Sequence, residues 1–413
     1  MKYSNDKLDF NFLLSYTKVL CFKSILLVLP LYISSSQSSA ISQSLDSINK
    51  SIVVGAQKID SYLPLLKNKS VGIVSNQSSL VDDIHIVDTL LSLGVRLHCI
   101  FSPEHGFRGK EDAGDQIFNQ IDYKTNLPII SLYGKNKKPT GTQLSKIDVL
   151  IFDLQDVGAR FYTYISTLHY VMEACAENNI TLIILDRPNP NAHYVDGPVL
   201  DRRFSSFVGM HPVPIVYGMT IAEYAKMING EKWLENKISC QLIIISCDNY
   251  NHTRSYVLPV PPSPNLRSDI SIQLYPSLCL FEATTVSVGR GTDSPFECYG
   301  HPDFSKKEFL FKPKKSFGSK NPKHKDKLCK GYNLNKSKYK RLHQLDLSFL
   351  LNAKKELEGK VFVNKHNFFN LLAGNDVLIK QLESGMNENE IRATWEKDLD
   401  NFKVIRLKYL IYD

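Results

Sequence analysis

The sequence predicts an α/β fold: a Rossmann-like, mostly parallel sheet domain followed by a smaller α+β domain, with the active site in the cleft between them. Continuous apolar runs in the first half are typical of strands buried on both faces. Helical patterns separate these runs, which favours β-α-β units. A proline-rich stretch, 258–268, then marks a boundary. With 413 residues, the chain is long enough for two domains.

The first domain is predicted over residues 41–255. Its predicted strands are residues 71–76, 96–103, 128–133, 148–155, 181–187 and 241–247. After Gly158, apolar residues at helical spacing predict a helix with a buried stripe. The residues of this stripe are Phe161, Ile165, Leu168, Met172 and Cys175. A weaker helical pattern runs from Asp83 to Leu93.

The second domain is predicted over residues 256–413. Near its end, Asn387 and Glu390 form an N-cap signal for a helix. The apolar face of that helix comprises Ile391, Trp395, Leu399 and Phe402. A lysine-rich insertion around 305–341 interrupts the domain, and we interpret it as a solvated loop.

The N-terminal residues 1–40 match a secretory signal peptide. Lys18 and Lys23 precede the apolar segment 24–33, and small polar residues lead to Ala40. The apolar segment is too short to span a bilayer comfortably, so we expect cleavage rather than retention as an anchor. We therefore expect an exported protein, periplasmic rather than secreted or membrane-associated, with no stable membrane insertion after cleavage.

Charge and cysteine content exclude several classes of protein. The net charge is +8, but the lysine-rich segment alone carries +12, which leaves −4 for the rest of the chain. A single basic run without a nucleic-acid-binding motif does not predict a nucleic-acid partner. The eight cysteines include no C-x-x-C pair, so neither a disulfide framework nor a zinc site is expected. Cys99 and Cys175 lie in apolar runs and are expected in the core.

Polar residues follow the predicted strands at the point where each strand ends. Since the carboxyl ends of parallel strands share one edge of a sheet, and ligands bind there, this edge is the predicted site. The residues that it collects are Asn76, Glu104, Tyr133, Gln155, Asp156, Arg187 and Asn189.

The chemistry of this edge favours a sugar as the ligand. The sequence has no dinucleotide fingerprint, Walker loop, zinc-protease helix or serine-hydrolase elbow at the expected places, so we predict no cofactor and no metal. Amides and carboxylates match sugar hydroxyls, and aromatic rings such as those of Tyr133 and Tyr162 match the faces of sugar rings.

Glu104 is the predicted catalytic acid. Glycosidic cleavage needs a carboxylic acid that protonates the leaving oxygen. Glu104 lies in "SPEHGFRG", where a proline and two glycines predict a tight turn. The alternative is a turn carboxylate paired with Arg108. His105 is expected to orient Glu104 rather than bind a metal.

The other charged residues each allow two interpretations. Asp156 is a second predicted catalytic carboxylate, or the N-cap of the following helix. Arg160 and Arg187 either bind a substrate carboxylate or form salt bridges. Glu282 and Arg290 either close on the cleft from the second domain or belong to a structural hairpin.

Several motifs together resemble the NamZ (YbbC-like) family of exo-β-N-acetylmuramidases. The likeness extends in order from about Gly72 to Asp413. The motifs are "FSPEHGFRG", "LIFDLQDVGARFYTYISTL", "LDRPNPN", "DGPVL", "PPSPNL", "YPSLCLFEAT", "VSVGRGTDSPF" and "KYLIYD". Ala283 departs from the glycine expected in the family, and the lysine-rich stretch is longer and more basic than the family norm.

The resemblance implies release of N-acetylmuramic acid (MurNAc) from the non-reducing end of peptidoglycan fragments, with Glu104 as general acid/base. The implied partners are oligosaccharides of MurNAc and N-acetylglucosamine (GlcNAc). Because MurNAc carries a lactyl carboxylate, its pocket should contain a cation, with Arg108, Arg160, Arg187 and Arg290 as candidates. Two alternatives stay open: a non-catalytic peptidoglycan-fragment binding protein, and a deacylase or metal-dependent hydrolase that uses Asp153 and Asp156.

Overall fold

The chain is built from short strands and helices that the computed structural model describes over residues 50–104, 106–108, 120–305, 309–335 and 341–413. In chain order, the strands of these residues are β1 (Val71–Ser75), β2 (Leu80–Val81), β3 (Ile84–His85), β4 (Leu97–Ser102), β5 (Gln120–Ile121), β6 (Pro128–Ser131), β7 (Val149–Asp153), β8 (Thr181–Leu185), β9 (Leu242–Ile245), β10 (Cys298–His301), β11 (Phe309–Phe311) and β12 (Cys329–Asn333).

Helices connect the strands and dominate the C-terminal part. The α-helices of the described residues are α1 (Ile59–Tyr62), α2 (Ile86–Ser92), α3 (Gly141–Leu144), α4 (Tyr164–Glu177), α5 (Ile221–Gly230), α6 (Asp269–Leu278), α7 (Ser348–Glu356), α8 (His366–Ala373), α9 (Val377–Ser384), α10 (Glu388–Ala393) and α11 (Glu396–Leu407). Single 3-10 turns are Gly55–Gln57, Leu63–Leu66, Arg202–Phe204, Glu235–Lys237 and Cys279–Ala283.

The main sheet has the strand order β5-β6-β4-β1-β7-β8-β9 among the described residues. All neighbouring strands are parallel except β5, which pairs antiparallel with β6. The predicted parallel sheet is therefore confirmed, and each predicted strand corresponds to a strand of this sheet. The short strands β2, β3 and β5 were not predicted, because two residues are too few to show a pattern.

Both faces of the sheet are buried, as the continuous apolar runs predict. Along β7, Leu150 and Phe152 belong to one hydrophobic cluster, whereas Val149 and Ile151 belong to a second cluster on the other face. This alternation follows from the two-residue period of a strand. Helix α4 packs within the first of these clusters.

Helix α4 begins later than the sequence predicts. Its N-cap is Thr163, so Asp156 is not the cap of this helix. Instead, Oδ2 of Asp156 accepts a hydrogen bond of 2.6 Å from the amide of Gly158. Gly158 has a φ of +75°, and a β-carbon there would collide with the side-chain amide of Asn189. Residues 157–163 thus form an irregular segment that precedes α4.

The C-terminal part contains a second, antiparallel sheet of order β10-β12-β11, together with the later helices. The predicted fold class, a parallel sheet domain and a smaller α+β region, is confirmed. Contacts group residues 51–413 into one compact unit. The boundary between 255 and 256 stays a prediction.

Two local predictions for this part have different outcomes. Asn387 forms a capping box with Glu390, as predicted. The single predicted helix, however, divides at Trp395 into α10 and α11. The predicted apolar face is buried on both pieces. The lysine-rich segment was interpreted as a solvated loop, but it contains β11 and β12, so that interpretation is incomplete.

The predicted signal peptide, residues 1–40, lies outside the described residues. In the parts of the chain that the structure describes, no helix has the length and apolar character needed to cross a membrane. The seven cysteines of these parts, including Cys99 and Cys175, are buried with free thiols.

Candidate active site

The turn that follows β4 presents Glu104 at the carboxyl edge of the main sheet. Gly106 has a φ of +75°, which a glycine adopts without strain, and its amide donates to the carbonyl of Pro103 at 3.2 Å. Phe107 is buried beyond the turn, while Glu104 is half-buried. The predicted tight turn is present. His105, the predicted orienting residue, lies outside the described residues.

One hydroxyl group donates to the Glu104 carboxylate, and the charge of the carboxylate acts on a second. The side chain of Thr163 donates a hydrogen bond of 3.0 Å to Oε2 of Glu104. Although Thr163 is the N-cap residue of α4, its side chain does not cap the helix. Burial raises the pKa of Tyr133, and the charge of Glu104 and a hydrogen bond to it raise this pKa further. The carboxylate thus lies near two side chains: Tyr133, which follows β6, and Thr163, which directly precedes α4.

Aromatic side chains lie beside Glu104. Tyr162 and Tyr164 form an edge-to-face pair with ring centroids 4.7 Å apart, and Tyr275 stands edge-on to Tyr162 at 6.0 Å. The Tyr162 hydroxyl donates to the carbonyl of Pro262 at 2.8 Å, which ties the proline-rich segment to this edge. The Tyr164 hydroxyl approaches the Glu104 carbonyl at 3.5 Å.

Arg108 pairs with Asp122 and not with Glu104, which was the alternative interpretation of the turn. Its guanidinium donates to both oxygens of Asp122, at 3.3 and 2.9 Å, and lies 4.5 Å from the ring centre of Phe107. Burial opposes ionisation of Asp122, but the hydrogen bonds from Arg108 and Thr125 hold its pKa below the usual value. Glu104 is therefore not the salt-bridge partner of Arg108.

Two of the four predicted cations, Arg160 and Arg187, are buried and donate their hydrogen bonds to other groups of the protein. Arg160 has no exposed surface and donates to the carbonyls of Pro198, Val213 and Leu372 at 2.8 to 2.9 Å. Burial without a carboxylate lowers its pKa to about 9. For Arg160, the structure shows a link between distant chain segments and no surface that a substrate could reach.

Arg187 forms the second internal pair. Its guanidinium donates to both oxygens of Asp153, at 2.6 and 2.9 Å, and to the carbonyl of Leu80. Burial alone lowers the pKa of Arg187, but the Asp153 carboxylate raises it above the usual value. Arg187 therefore forms a salt bridge, as one of its two interpretations predicts, and its partner is Asp153.

Arg290 differs from the other three arginines. Its side chain keeps 29% of its surface exposed, and its Nε lies 3.4 Å from Oε1 of Glu282, whose side chain is 24% exposed. Within the described residues, the buried Nε of Arg290 has no hydrogen-bond partner. Burial lowers the pKa of Arg290, but the charges of Glu282 and Glu104, among others, raise it overall. The charges of Arg290 and Glu104 therefore interact across the site.

The predicted amides of the edge are buried, and each donates hydrogen bonds to other groups of the protein. Asn76 donates to the Tyr164 hydroxyl at 2.7 Å, and Asn189 donates to the carbonyl of Met219 at 2.8 Å. Gln155 donates to the carbonyls of Asp156 and Pro188, at 2.9 and 2.7 Å. These three residues shape the loops of the edge in this structure.

Asp156 is buried close to the aromatic residues. Besides the Gly158 amide, its Oδ2 accepts a short hydrogen bond from the hydroxyl of Tyr217. Its Oδ1 has no partner among the described residues. Burial raises the pKa of Asp156 to about 7, against the lowering effect of these hydrogen bonds. Asp156 is thus an enclosed carboxyl group, in contrast to half-buried Glu104.

Sequence reasoning missed Thr163, Tyr164 and Tyr275. Thr163 lies inside the helix that the sequence predicts after Gly158, so nothing in the pattern indicated that its hydroxyl contacts Glu104. Tyr164 and Tyr275 lie in motifs that were singled out for their resemblance, but their rings belong to helices whose orientation depends on the fold.

Comparisons with known proteins cover most of the chain. Residues 71–270 match the family "Exo-beta-N-acetylmuramidase NamZ, N-terminal", and residues 273–412 match "Exo-beta-N-acetylmuramidase NamZ, C-terminal". The peptidoglycan beta-N-acetylmuramidase NamZ of Bacillus subtilis (strain 168) is 36% identical over 392 residues, which cover 86% of this chain and 90% of that protein.

Two solved structures share the fold. Both are crystal structures of DUF1343 family proteins from Bacteroides fragilis NCTC 9343. One is 44% identical with a TM-score of 0.81, and the other is 27% identical with a TM-score of 0.76. Each likeness covers 88% of this chain and 99% of the solved chain.

Proposed function

The chain belongs to the NamZ family of exo-β-N-acetylmuramidases, and from this membership we propose which residues carry the reaction and which end of the substrate is attacked. The protein is a glycosidase that releases MurNAc from peptidoglycan fragments. The released sugar is the one at the non-reducing end, and Glu104 supplies the proton that the reaction needs.

The position of Glu104 is the observation that carries this proposal. Its carboxyl group is half-buried at the carboxyl edge of a parallel sheet and accepts a hydrogen bond from the hydroxyl of Thr163. In the reaction, the bond between C1 of MurNAc and the glycosidic oxygen breaks. Glu104 gives a proton to that departing oxygen, water supplies the hydroxyl group that C1 gains, and the proton that this water loses restores the acid form of Glu104. Asp156 is enclosed, which supports Glu104 as the donor to the leaving group.

Arg290 is the proposed anchor for the lactyl carboxylate of MurNAc. Arg108, Arg160 and Arg187 already donate to Asp122, to backbone carbonyls and to Asp153. Arg290 is partly exposed, lies 3.4 Å from Glu282 and stands 5.7 Å from the ring centre of Phe296. A guanidinium can bind a carboxylate through two parallel hydrogen bonds. The substrate carboxylate would take the two terminal nitrogens while Glu282 steadies Nε.

The order of the two sugars in a disaccharide tests the proposed function. Purified protein is incubated with MurNAc-GlcNAc and, as a matched control, with GlcNAc-MurNAc, and the products are identified by mass spectrometry. Free MurNAc should form from the first compound alone, because only there is MurNAc at the non-reducing end. Cleavage of both compounds, or of GlcNAc-MurNAc alone, would contradict an exo enzyme of this specificity.

We also propose that the protein acts outside the cytoplasm, in the periplasm. A basic flank, a short apolar segment and small residues ending at Ala40 support export, and the peptidoglycan substrate lies outside the cytoplasmic membrane. The N-terminal peptide of the mature protein tests this proposal: it should begin just after Ala40. A mature protein that retains residues 1–40 would contradict cleavage.

A further inference from the structure

One lysine of the lysine-rich segment differs from its neighbours. Lys312, Lys314, Lys325 and Lys327 are exposed, as expected for a solvated surface, whereas Lys323 is half-buried. Its ammonium group donates to the carbonyls of Phe281 and Thr284, at 2.6 Å each, and to that of Val286 at 3.3 Å. An ammonium group has three donors, so these carbonyls use its full capacity.

The three carbonyls lie in the stretch that leads to Arg290. Residues 281–286 join the 3-10 turn Cys279–Ala283 to the loop that carries Arg290, and they include Glu282. His324 adds a fourth contact from the same segment, because its ring nitrogen lies 2.7 Å from the carbonyl of Thr285. Two consecutive residues of the lysine-rich segment therefore fix four neighbouring carbonyls.

The same segment also contacts the far side of the Arg290 loop. The amide of Lys314 donates to the carbonyl of Gly291 at 2.8 Å. Gly291 has a φ of +81°, and a β-carbon there would come within 2.8 Å of Pro322. Both ends of the loop that holds Arg290 thus rest on residues 314–324.

The ammonium group of Lys323 interacts electrostatically with Glu282 and Arg290 as well as with the backbone. The pKa of Lys323 is lowered to about 8, mainly by burial; Lys365 and Arg290 also lower this pKa, whereas Glu282 raises it. No carboxylate lies within salt-bridge distance of Lys323 among the described residues. Partial burial of a charged ammonium group costs free energy, and its hydrogen bonds to the carbonyls offset this cost.

We propose that Lys323 is a positioning residue of the active site: it holds the 281–286 backbone so that Arg290 meets the lactyl carboxylate of MurNAc. This inference rests on the proposed role of Arg290. It gives the lysine-rich segment, which the family resemblance did not explain, a part in substrate selection rather than in catalysis.

The test compares two substrates that differ only in the lactyl group: nitrophenyl glycosides of β-MurNAc and of β-GlcNAc. The variants are Lys323→Met, Arg290→Gln, the double variant and the exposed control Lys325→Met. Arg290→Gln should lower the kcat/KM ratio of MurNAc over GlcNAc by about 10- to 100-fold, the scale of lost hydrogen bonds to a charge. Lys323→Met should lower it about threefold to tenfold, through KM rather than kcat.

The outcomes separate this inference from the proposed function. In the double variant, Lys323→Met should have little further effect on the ratio, and Lys325→Met should leave the ratio unchanged. A normal ratio in Lys323→Met beside a reduced ratio in Arg290→Gln would overturn the role of Lys323 alone. A normal ratio in Arg290→Gln would overturn both roles. If Lys323→Met does not fold, Lys323→Gln replaces it, and failure of both to fold would assign Lys323 to overall stability and overturn the proposal.

Discussion

The orientation of the Glu104 carboxyl depends on a hydroxyl group that a helix would ordinarily use for its own cap. Thr163 gives this hydroxyl to Oε2 of Glu104 instead. Helix α4 begins without a side-chain cap, and its stability comes from the core, where every residue from Tyr164 to Leu168 is buried. We therefore expect the identity of residue 163 to affect catalysis more than folding.

Replacement of Thr163 by Val should lower kcat for MurNAc release by about tenfold, the scale of one hydrogen bond to a charged group, and leave KM nearly unchanged. The melting temperature should change little, because the hydroxyl does not cap α4. Thr163→Ser is the matched control, since it keeps the hydroxyl, and it should retain most of the activity. Equal losses in both variants would show that the hydroxyl is not the group that matters.

Asp156 should make stability depend on pH. Burial raises its pKa to about 7 in the folded protein, whereas an unfolded aspartate titrates near pH 4. The folded state therefore binds this proton more tightly. The stability that results is fully present below about pH 4 and is lost as the pH rises through about 7.

The Asp156→Asn variant tests this pH dependence, because an amide does not titrate. The free energy of unfolding is measured in urea from pH 4 to pH 8. The advantage of the natural protein over the variant should shrink across this range, by on the order of a few kcal/mol. A constant difference between the two proteins would contradict the raised pKa.

At the level of elements, the ends of adjacent strands are joined by a buried ion pair. Asp153 ends β7 and Arg187 follows β8, and their bidentate contact brings in the carbonyl of Leu80 as well. Removal of one partner would leave the other charge buried without compensation, which costs more than the loss of the pair as a whole.

Arg187→Met should therefore reduce the free energy of unfolding by about 3 to 5 kcal/mol. The double variant Asp153→Leu/Arg187→Met should be closer to the natural protein, since neither charge remains. Urea unfolding of the single and double variants measures the difference. If the double variant were the less stable of the two, the account of an uncompensated charge would be wrong.

The same elements show what the sequence could predict. Apolar runs such as Val149–Asp153 predicted the parallel strands, because burial on both faces leaves a continuous pattern in one segment. Gly106 likewise predicted the tight turn at Glu104, because a glycine acts locally on the backbone; Gly109, the other glycine of that prediction, lies outside the described residues. The choice among the four arginines was not predictable, since Arg160 meets Leu372 from a distant part of the chain. Partners of that kind depend on the fold.

At the level of the whole molecule, the C-terminal residues return to the first sheet. The hydroxyl of Tyr412 donates to Asp186 at 2.6 Å and accepts from the amide of Cys247 at 2.8 Å. The amides of Ile411 and Tyr412 donate to Glu223. The sequence motif at the C-terminus thus binds the last residues to the segments that follow β8 and β9.

Tyr412→Phe should reduce the free energy of unfolding by about 1 to 3 kcal/mol, because Asp186 and the Cys247 amide would lose a buried partner. Tyr409→Phe is the matched control: its hydroxyl donates to Glu231 near the surface, at 2.6 Å, and its loss should cost less. Thermal and urea unfolding measure both effects. Equal losses in the two variants would contradict the structural role of Tyr412, while catalysis should persist in both folded variants.

The central claim, that Glu104 protonates the departing sugar oxygen, is tested most directly by the dependence of Glu104→Gln on the leaving group. Turnover of MurNAc-GlcNAc, whose leaving alcohol needs a proton, should fall at least ~100-fold in this variant. Turnover of nitrophenyl β-MurNAc, whose leaving group departs as a stable anion, should fall far less. Equal losses on both substrates, or undiminished release of MurNAc from the disaccharide, would contradict the account.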